Sequence, residues 1–141
     1  MMKLSVCAVL LLSVAGCSSV TAPSAPVMVG ETWVFIGVDG TGNMVRSATL
    51  LFTDRPVRAC IAGDWKEARV LTAVRGQTGV AAYILSGEKL TINLSEPLLC
   101  DNYEQMQGEL TWAGFSGRYY SFGLGWSKDL GRGFGAPAFP K

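Results

Sequence analysis

Residues 90–95 read Leu90-Thr91-Ile92-Asn93-Leu94-Ser95. Apolar and polar residues alternate here without a break. Successive side chains of an extended strand point to opposite faces, so the run predicts a strand with Leu90, Ile92 and Leu94 turned to a core. Working outward, Met106-Gln107-Gly108-Glu109-Leu110-Thr111-Trp112 keeps the same period. It predicts Met106, Leu110 and Trp112 on one face, with Glu109 turned to solvent. The stretch 80–85 is apolar on both faces and reaches the Leu90 strand through Ser86-Gly87-Glu88-Lys89, a short hairpin loop. Ala113-Gly114 joins the Trp112 strand to Phe115-Ser116-Gly117-Arg118-Tyr119-Tyr120-Ser121-Phe122. Nearer the start, 32–38 and 44–52 flank Asp39-Gly40-Thr41-Gly42-Asn43, a further hairpin signal.

One stretch admits two readings. Asp64-Trp65-Lys66-Glu67 has the form of a helix capping box, followed by Ala68, Leu71 and Thr72 at helical spacing, which would give one short helix near 64–72. The favoured reading is a strand over 66–75 with Ala68, Val70 and Val74 inward, because Val70-Leu71-Thr72-Ala73-Val74 is rich in β-branched residues. Seven to nine short antiparallel strands with glycine at the turns make an all-β domain, and a small closed or nearly closed β-barrel is the expected architecture. Closure removes exposed sheet edges. Glycines within the strands, at Gly37, Gly108, Gly117 and Gly123, suit the tight bends that closure needs.

Composition narrows the chemistry. The 141 residues are 49% hydrophobic and 16% charged, which fits one globular domain. With 12 Lys+Arg against 11 Asp+Glu there is no basic excess to attract a nucleic acid, so no nucleic-acid partner is expected. The absence of histidine removes His-dependent triads, His metal sites and His general bases. The remaining acid/base candidates, Asp54, Asp64, Glu67, Asp101, Glu104 and Glu109, are scattered over turns and polar strand faces and read as solvated charges. Gly123-Leu124-Gly125 and Gly131-Arg132-Gly133 lie between no strand and helix, so neither makes a phosphate loop. The expectation is a protein that is not an enzyme and takes no cofactor or metal.

The N-terminus has a different character. Lys3 is followed by an apolar run over 4–14, too short to span a bilayer as a helix, since that takes about 20 residues. It fits the apolar region of a secretory signal. Val14-Ala15-Gly16-Cys17 resembles the lipobox of bacterial lipoproteins: an aliphatic residue, two small ones that a peptidase can accept, then a cysteine. The resemblance implies a signal peptide over 1–16, cleavage between Gly16 and Cys17, and lipidation of Cys17 through its thiolate. Two or more acyl chains, palmitate among the types used, then give stable membrane attachment. Ser18, where Asp would imply retention in the inner membrane, implies sorting to the cell outer membrane of a Gram-negative envelope, facing the periplasm.

Residues 17–29 follow as a lipidated tether. Ser18-Ser19-Val20-Thr21-Ala22-Pro23-Ser24-Ala25-Pro26 is small, polar and proline-punctuated, and buries too little apolar surface to order itself. A single β domain then occupies 30–141. With Cys7 lost in the signal and Cys17 lipidated, Cys60 and Cys100 remain, and in an oxidising compartment one disulfide is the simplest pairing.

The aromatics Trp33, Phe35, Trp112, Phe115, Tyr119, Tyr120, Phe122 and Trp126 gather toward the ends of the domain. They suit a barrel core, or a cavity or patch that binds an apolar ligand or a partner. Gly30 and Trp33 in a Gly-x-x-Trp that opens a β domain resemble the start of lipocalin-like and avidin-like barrels, which implies a carrier of a small apolar ligand. Ser116-Gly117-Arg118-Tyr119-Tyr120 with Trp126-Ser127-Lys128 is similar to the Ser-Gly-x-x-Tyr … Trp-x-Lys region of membrane-bound C-type-lysozyme inhibitors, and Cys60-Ile61-Ala62-Gly63 is similar to their Cys-x-x-Gly. That resemblance implies a small periplasmic lipoprotein in which Ser116 and Lys128 reach from adjacent loops toward the catalytic carboxylates of a lysozyme partner. The candidate binding residues are therefore Ser116, Tyr119, Tyr120, Trp126 and Lys128. The leading expectation is a lipid-anchored, non-enzymatic binding or envelope-accessory protein, its partners the membrane and an envelope protein. A lysozyme inhibitor and an apolar-ligand carrier stand as alternatives.

Overall fold

The computed structural model describes residues 28–74 and 79–138. The signal segment, Cys17 and the tether as far as residue 27 lie outside them. Eight strands follow one another: β1 (Thr32–Val38), β2 (Met44–Pro56), β3 (Lys66–Val74), β4 (Gly79–Ser86), β5 (Lys89–Asn93), β6 (Tyr103–Thr111), β7 (Gly114–Gly123) and β8 (Trp126–Pro137). Each pairs antiparallel with the next and β8 returns to β1, so the sheet closes into a barrel in sequential order. Every strand has two hydrogen-bonded neighbours, which leaves no edge. The all-β barrel read from the alternation is the observed fold.

Period-two patterning builds the two faces. In β2, Arg46, Ala48, Leu50 and Phe52 are buried, while the residues between them are partly exposed. The same period turns Leu90 and Ile92 of β5, and Met106 and Leu110 of β6, into the core. The turns after β1 and β7 and the connection between β5 and β6 share one end of the barrel, the mouth. The turns after β4 and β6 share the other, the floor. Aromatic rings fill the floor: Phe115 meets Phe35 edge-on at 5.5 Å and Phe52 meets Tyr83 at 4.8 Å between centroids. Tyr83 remains satisfied there, its hydroxyl donating to Thr53 O at 2.8 Å. Met28, assigned to the tether by sequence, is buried in the same cluster, and Gly30 N–H donates to Phe52 O at 2.8 Å. The chain thus enters the barrel at its floor.

Strand glycines let backbones and large side chains approach. Gly108 and Gly117 face each other across β6 and β7, where a Cβ on Gly108 would stand 2.1 Å from Ser116 O. Gly37 lies beneath the ring of Tyr119.

Three local expectations resolve against the register. The ambiguous stretch is strand β3, and no helix occurs among the described residues. Ala68 is buried, but Val74 is 53% exposed. Thr49 pairs with Thr72 and Leu50 with Val70, so Leu71 bulges out, the phase reverses, and Ala73 packs against the core in place of Val74. Trp112 is 74% exposed where the alternation turned it inward. Thr111 pairs with Gly114, which leaves Trp112 and Ala113 as the turn itself.

Cys60 and Cys100 form a disulfide with Cα atoms 5.3 Å apart. It joins the connection after β2, which begins at the floor, to the connection after β5 at the mouth. The segment between β2 and β3 therefore runs along the outer face of the barrel. A Cβ on Gly63 would touch Ile84 of β4, and Trp65 is buried with its indole N–H donating to Ile61 O at 2.8 Å. The outward positions Ala82 and Asn93, paired across β4 and β5, are fully buried, as a bare outer sheet face would not allow.

Candidate functional site at the barrel mouth

Above the aromatic floor the barrel opens into a cleft of about 780 Å³, within the range of small-molecule sites. Its base is polar. Arg46 comes from the inward face of β2, Glu104 from that of β6 and Tyr119 from that of β7. Arg46 Nε lies 3.6 Å from Glu104 Oε1, the Tyr119 hydroxyl donates to the same oxygen, and Arg46 Nη2 donates to Leu94 O at 3.5 Å. Arg46 is only 7% exposed. A guanidinium that deep persists only with a countercharge and acceptors, and Glu104 and Leu94 supply them. Gly37 makes the arrangement possible: it pairs with Arg46 in the β1–β2 register, and its missing side chain is the space the Tyr119 ring occupies.

The walls come from β7, β8 and the turn after β1. Ser121 stands two residues beyond Tyr119 on the same face. Across the ladder it pairs with Lys128, while Gly123 pairs with Trp126. Val45 and Leu130 add apolar surface. Leu130 enters through a bulge, since Tyr119 pairs with Gly131 and Tyr120 with Asp129. Asp39 is engaged by its own turn: its Oδ1 accepts from the Thr41 hydroxyl at 2.7 Å, the Thr41 amide at 2.9 Å and the Asn43 amide at 3.0 Å. The Thr41 hydroxyl, then the Asn43 amide, hold its carboxyl below the usual range. Asp129 Oδ1 likewise accepts from Gly131 N–H at 2.9 Å.

Of the residues singled out from sequence, Tyr119, Trp126 and Lys128 meet at this cleft. Ser116 and Tyr120 do not. Ser116 lies within β7, paired with Glu109 and Phe134, and faces outward. Lys128 pairs with Ser121, several residues farther along the strand and on the other face, so Ser116 and Lys128 are not on adjacent loops. Tyr120 is also outward. Its hydroxyl donates to Gln105 Oε1 at 2.9 Å, Arg118 lies 5.2 Å from its ring centroid, and burial raises its phenol above the usual value. It joins Phe122 and Tyr103 in an outer aromatic row with centroid spacings of 5.6 and 4.9 Å.

Sequence reasoning passed over Arg46 and Ser121 and read Glu104 as a solvated charge, whereas it points inward and is held by Arg46 and Tyr119. The signal was present: Arg46 is in phase with Ala48, Leu50 and Phe52, and Glu104 with Met106 and Leu110. A charge in phase with the apolar series of a strand points into the barrel, where it needs a partner. Among the described residues, no group of three or more His, Cys, Asp or Glu is placed to hold a metal ion. No protein-family model, curated protein or solved structure matches the chain.

Proposed function

We propose that this chain is a lipid-anchored binding protein of the bacterial envelope that takes a small ligand in the mouth of its barrel. Acyl chains on Cys17 hold it to the outer membrane, and the barrel faces the periplasm. The observation that carries the reading is the position of the cleft. The chain enters at the floor through Met28 and Gly30, and the cleft opens at the opposite end. A tether joined to the floor leaves that opening turned away from the bilayer. The disulfide fits an oxidising compartment.

The interior supports a mouth-bound ligand over a deep apolar one, because Trp33, Phe35, Phe52, Tyr83 and Phe115 fill the floor. The separation of Ser116 from Lys128 counts against the lysozyme-inhibitor reading. An envelope-protein partner is favoured by Leu98 and Leu124, 65% and 85% exposed at the same end of the barrel.

Mass spectrometry of the protein extracted from a Gram-negative envelope tests both halves. The N-terminal peptide is expected to begin at Cys17 and carry acyl mass that Cys17→Ser abolishes. Under native conditions a small molecule is expected to travel with the wild type and to be lost from Ser121→Trp, which fills the cleft. A chain that keeps Met1 overturns the anchor. A ligand retained by Ser121→Trp, or absent from both forms, overturns the site.

A further inference from the structure

The donors and acceptors around the cleft divide unevenly. Each carboxylate is turned to a donor of the chain itself. Glu104 faces Arg46 and Tyr119, Asp39 accepts three hydrogen bonds from its own turn, and Asp129 caps Gly131. The cationic side differs. Arg46 is matched by Glu104, whereas Lys128, exposed on the wall, has no carboxylate within ion-pair distance among the described residues. Ser121, which pairs with Lys128 across the ladder, and Asn102, just before β6 on the other side of β7, have side chains with no hydrogen-bond partner among the described residues. Beside them lie Trp126, Leu130 and Val45, an apolar surface continuous with the polar one.

We propose that the mouth binds a small amphiphile through an oxyanion head, a carboxylate or a phosphate. The head lies against the Lys128 ammonium, with Ser121 and Asn102 donating to its remaining oxygens, and the apolar body rests on Trp126 and Leu130. An ammonium facing an oxyanion makes a charge-assisted hydrogen bond, stronger than a neutral one. A hydroxyl and a carboxamide complete the head's acceptor needs without adding charge. A cationic head is the competing case for the test below, because Asp39 and Asp129 accept their hydrogen bonds through Oδ1 alone and face no cationic side chain within ion-pair distance among the described residues. This inference rests on the mouth being a binding site and adds the class of ligand.

The test is titration of the acyl-free domain, signal removed and Cys17→Ser, with octyl phosphate, octanoate and octyltrimethylammonium, read from backbone amide NMR shifts. The two anions are expected to move signals of residues 119–121 and 126–131, the cation to leave them in place. Lys128→Gln is expected to weaken anion binding about tenfold, with Lys89→Gln at the floor unchanged. Phosphatidylglycerol vesicles form a second arm. A response to the soluble probes assigns the head to a free amphiphile; mouth signals that respond to vesicles alone assign it to a bilayer lipid and overturn the placing of the mouth away from the membrane. Equal binding of cation and anion, an unchanged affinity in Lys128→Gln, or no response in either arm overturns the proposal. A co-purifying cationic or neutral ligand that Ser121→Trp displaces would overturn the anionic class while leaving the mouth as the site. The absence of any ligand, with silent probes, removes both.

Discussion

Replacing Gly37 with alanine sets a methyl group against the ring that closes the base of the cleft. A Cβ at this position stands 2.8 Å from both Cδ1 and Cε1 of Tyr119 and 3.2 Å from Cβ of Arg46. Carbon atoms pack at about 3.5–4.0 Å, so the ring must withdraw by more than half an ångström. Tyr119 is 3% exposed and tied to Glu104, which leaves it little room to do so. Overpacking of this kind costs about 1–3 kcal/mol. Gly37 does not have a positive φ, so alanine fits the backbone and returns about 0.4–1 kcal/mol by restricting the unfolded chain. The net expectation is a loss of about 1–2 kcal/mol, or roughly 4–10 °C in Tm for a domain of this size.

Urea unfolding of the wild type, Gly37→Ala, Tyr119→Ala and the double variant measures it. Gly40→Ala is the control, since a Cβ there meets nothing within 4 Å. If the collision with Tyr119 is the cause, Gly37→Ala costs well under about 1 kcal/mol once the ring is gone, a coupling typical of touching residues. An equal cost in both backgrounds, or a cost no larger than that of Gly40→Ala, would refute the reasoning.

Two further outcomes follow from the same geometry. Cys60→Ser/Cys100→Ser opens a crosslink with a sequence separation of 40; chain entropy puts the loss near 4 kcal/mol, seen as a lower urea midpoint, and an unshifted midpoint would remove the crosslink from the stability of the fold. Burial raises the phenols of Tyr83 and Tyr120 above their ordinary 10.0. The unfolded chain therefore loses these protons first, and the stability they confer is full below pH 10 and declines as pH rises through the folded values. Tm measured from about pH 8 to about pH 11 should fall less steeply in Tyr83→Phe/Tyr120→Phe than in the wild type, and parallel curves would refute the assignment.

Much of the architecture is legible residue by residue. The alternation of Leu90, Ile92 and Leu94, and of Met106 and Leu110, assigns faces because a strand has a fixed side-chain period. Asp39 to Asn43 and Ser86 to Lys89 mark turns because glycine and short polar residues adopt turn geometry cheaply. The misplaced residues sit where that period is interrupted. Val74 follows the bulge at Leu71, and Trp112 occupies a turn that the pattern alone had extended into strand. At the site, Tyr119 and Trp126 were identified among the clustered aromatics, and Lys128 through the resemblance of Trp126-Ser127-Lys128 to a lysozyme-inhibitor motif. Arg46 was passed over and Glu104 read as solvated because each looks like an ordinary surface charge until its phase is compared with its neighbours.

What the linear chain determined by itself is local: strand or turn, inward or outward, and an N-terminal segment that resembles a lipoprotein signal. These depend on dihedral preferences and on a repeat of two residues, and both are complete within a short window. Closure decided the rest. Only when β8 pairs with β1 does Gly37 come to lie beneath Tyr119, Arg46 reach Glu104, and the cleft residues of β2, β6, β7 and β8 gather around one mouth. The register between strands distant in sequence is set by the fit of all eight around one core, and no segment carries that information alone.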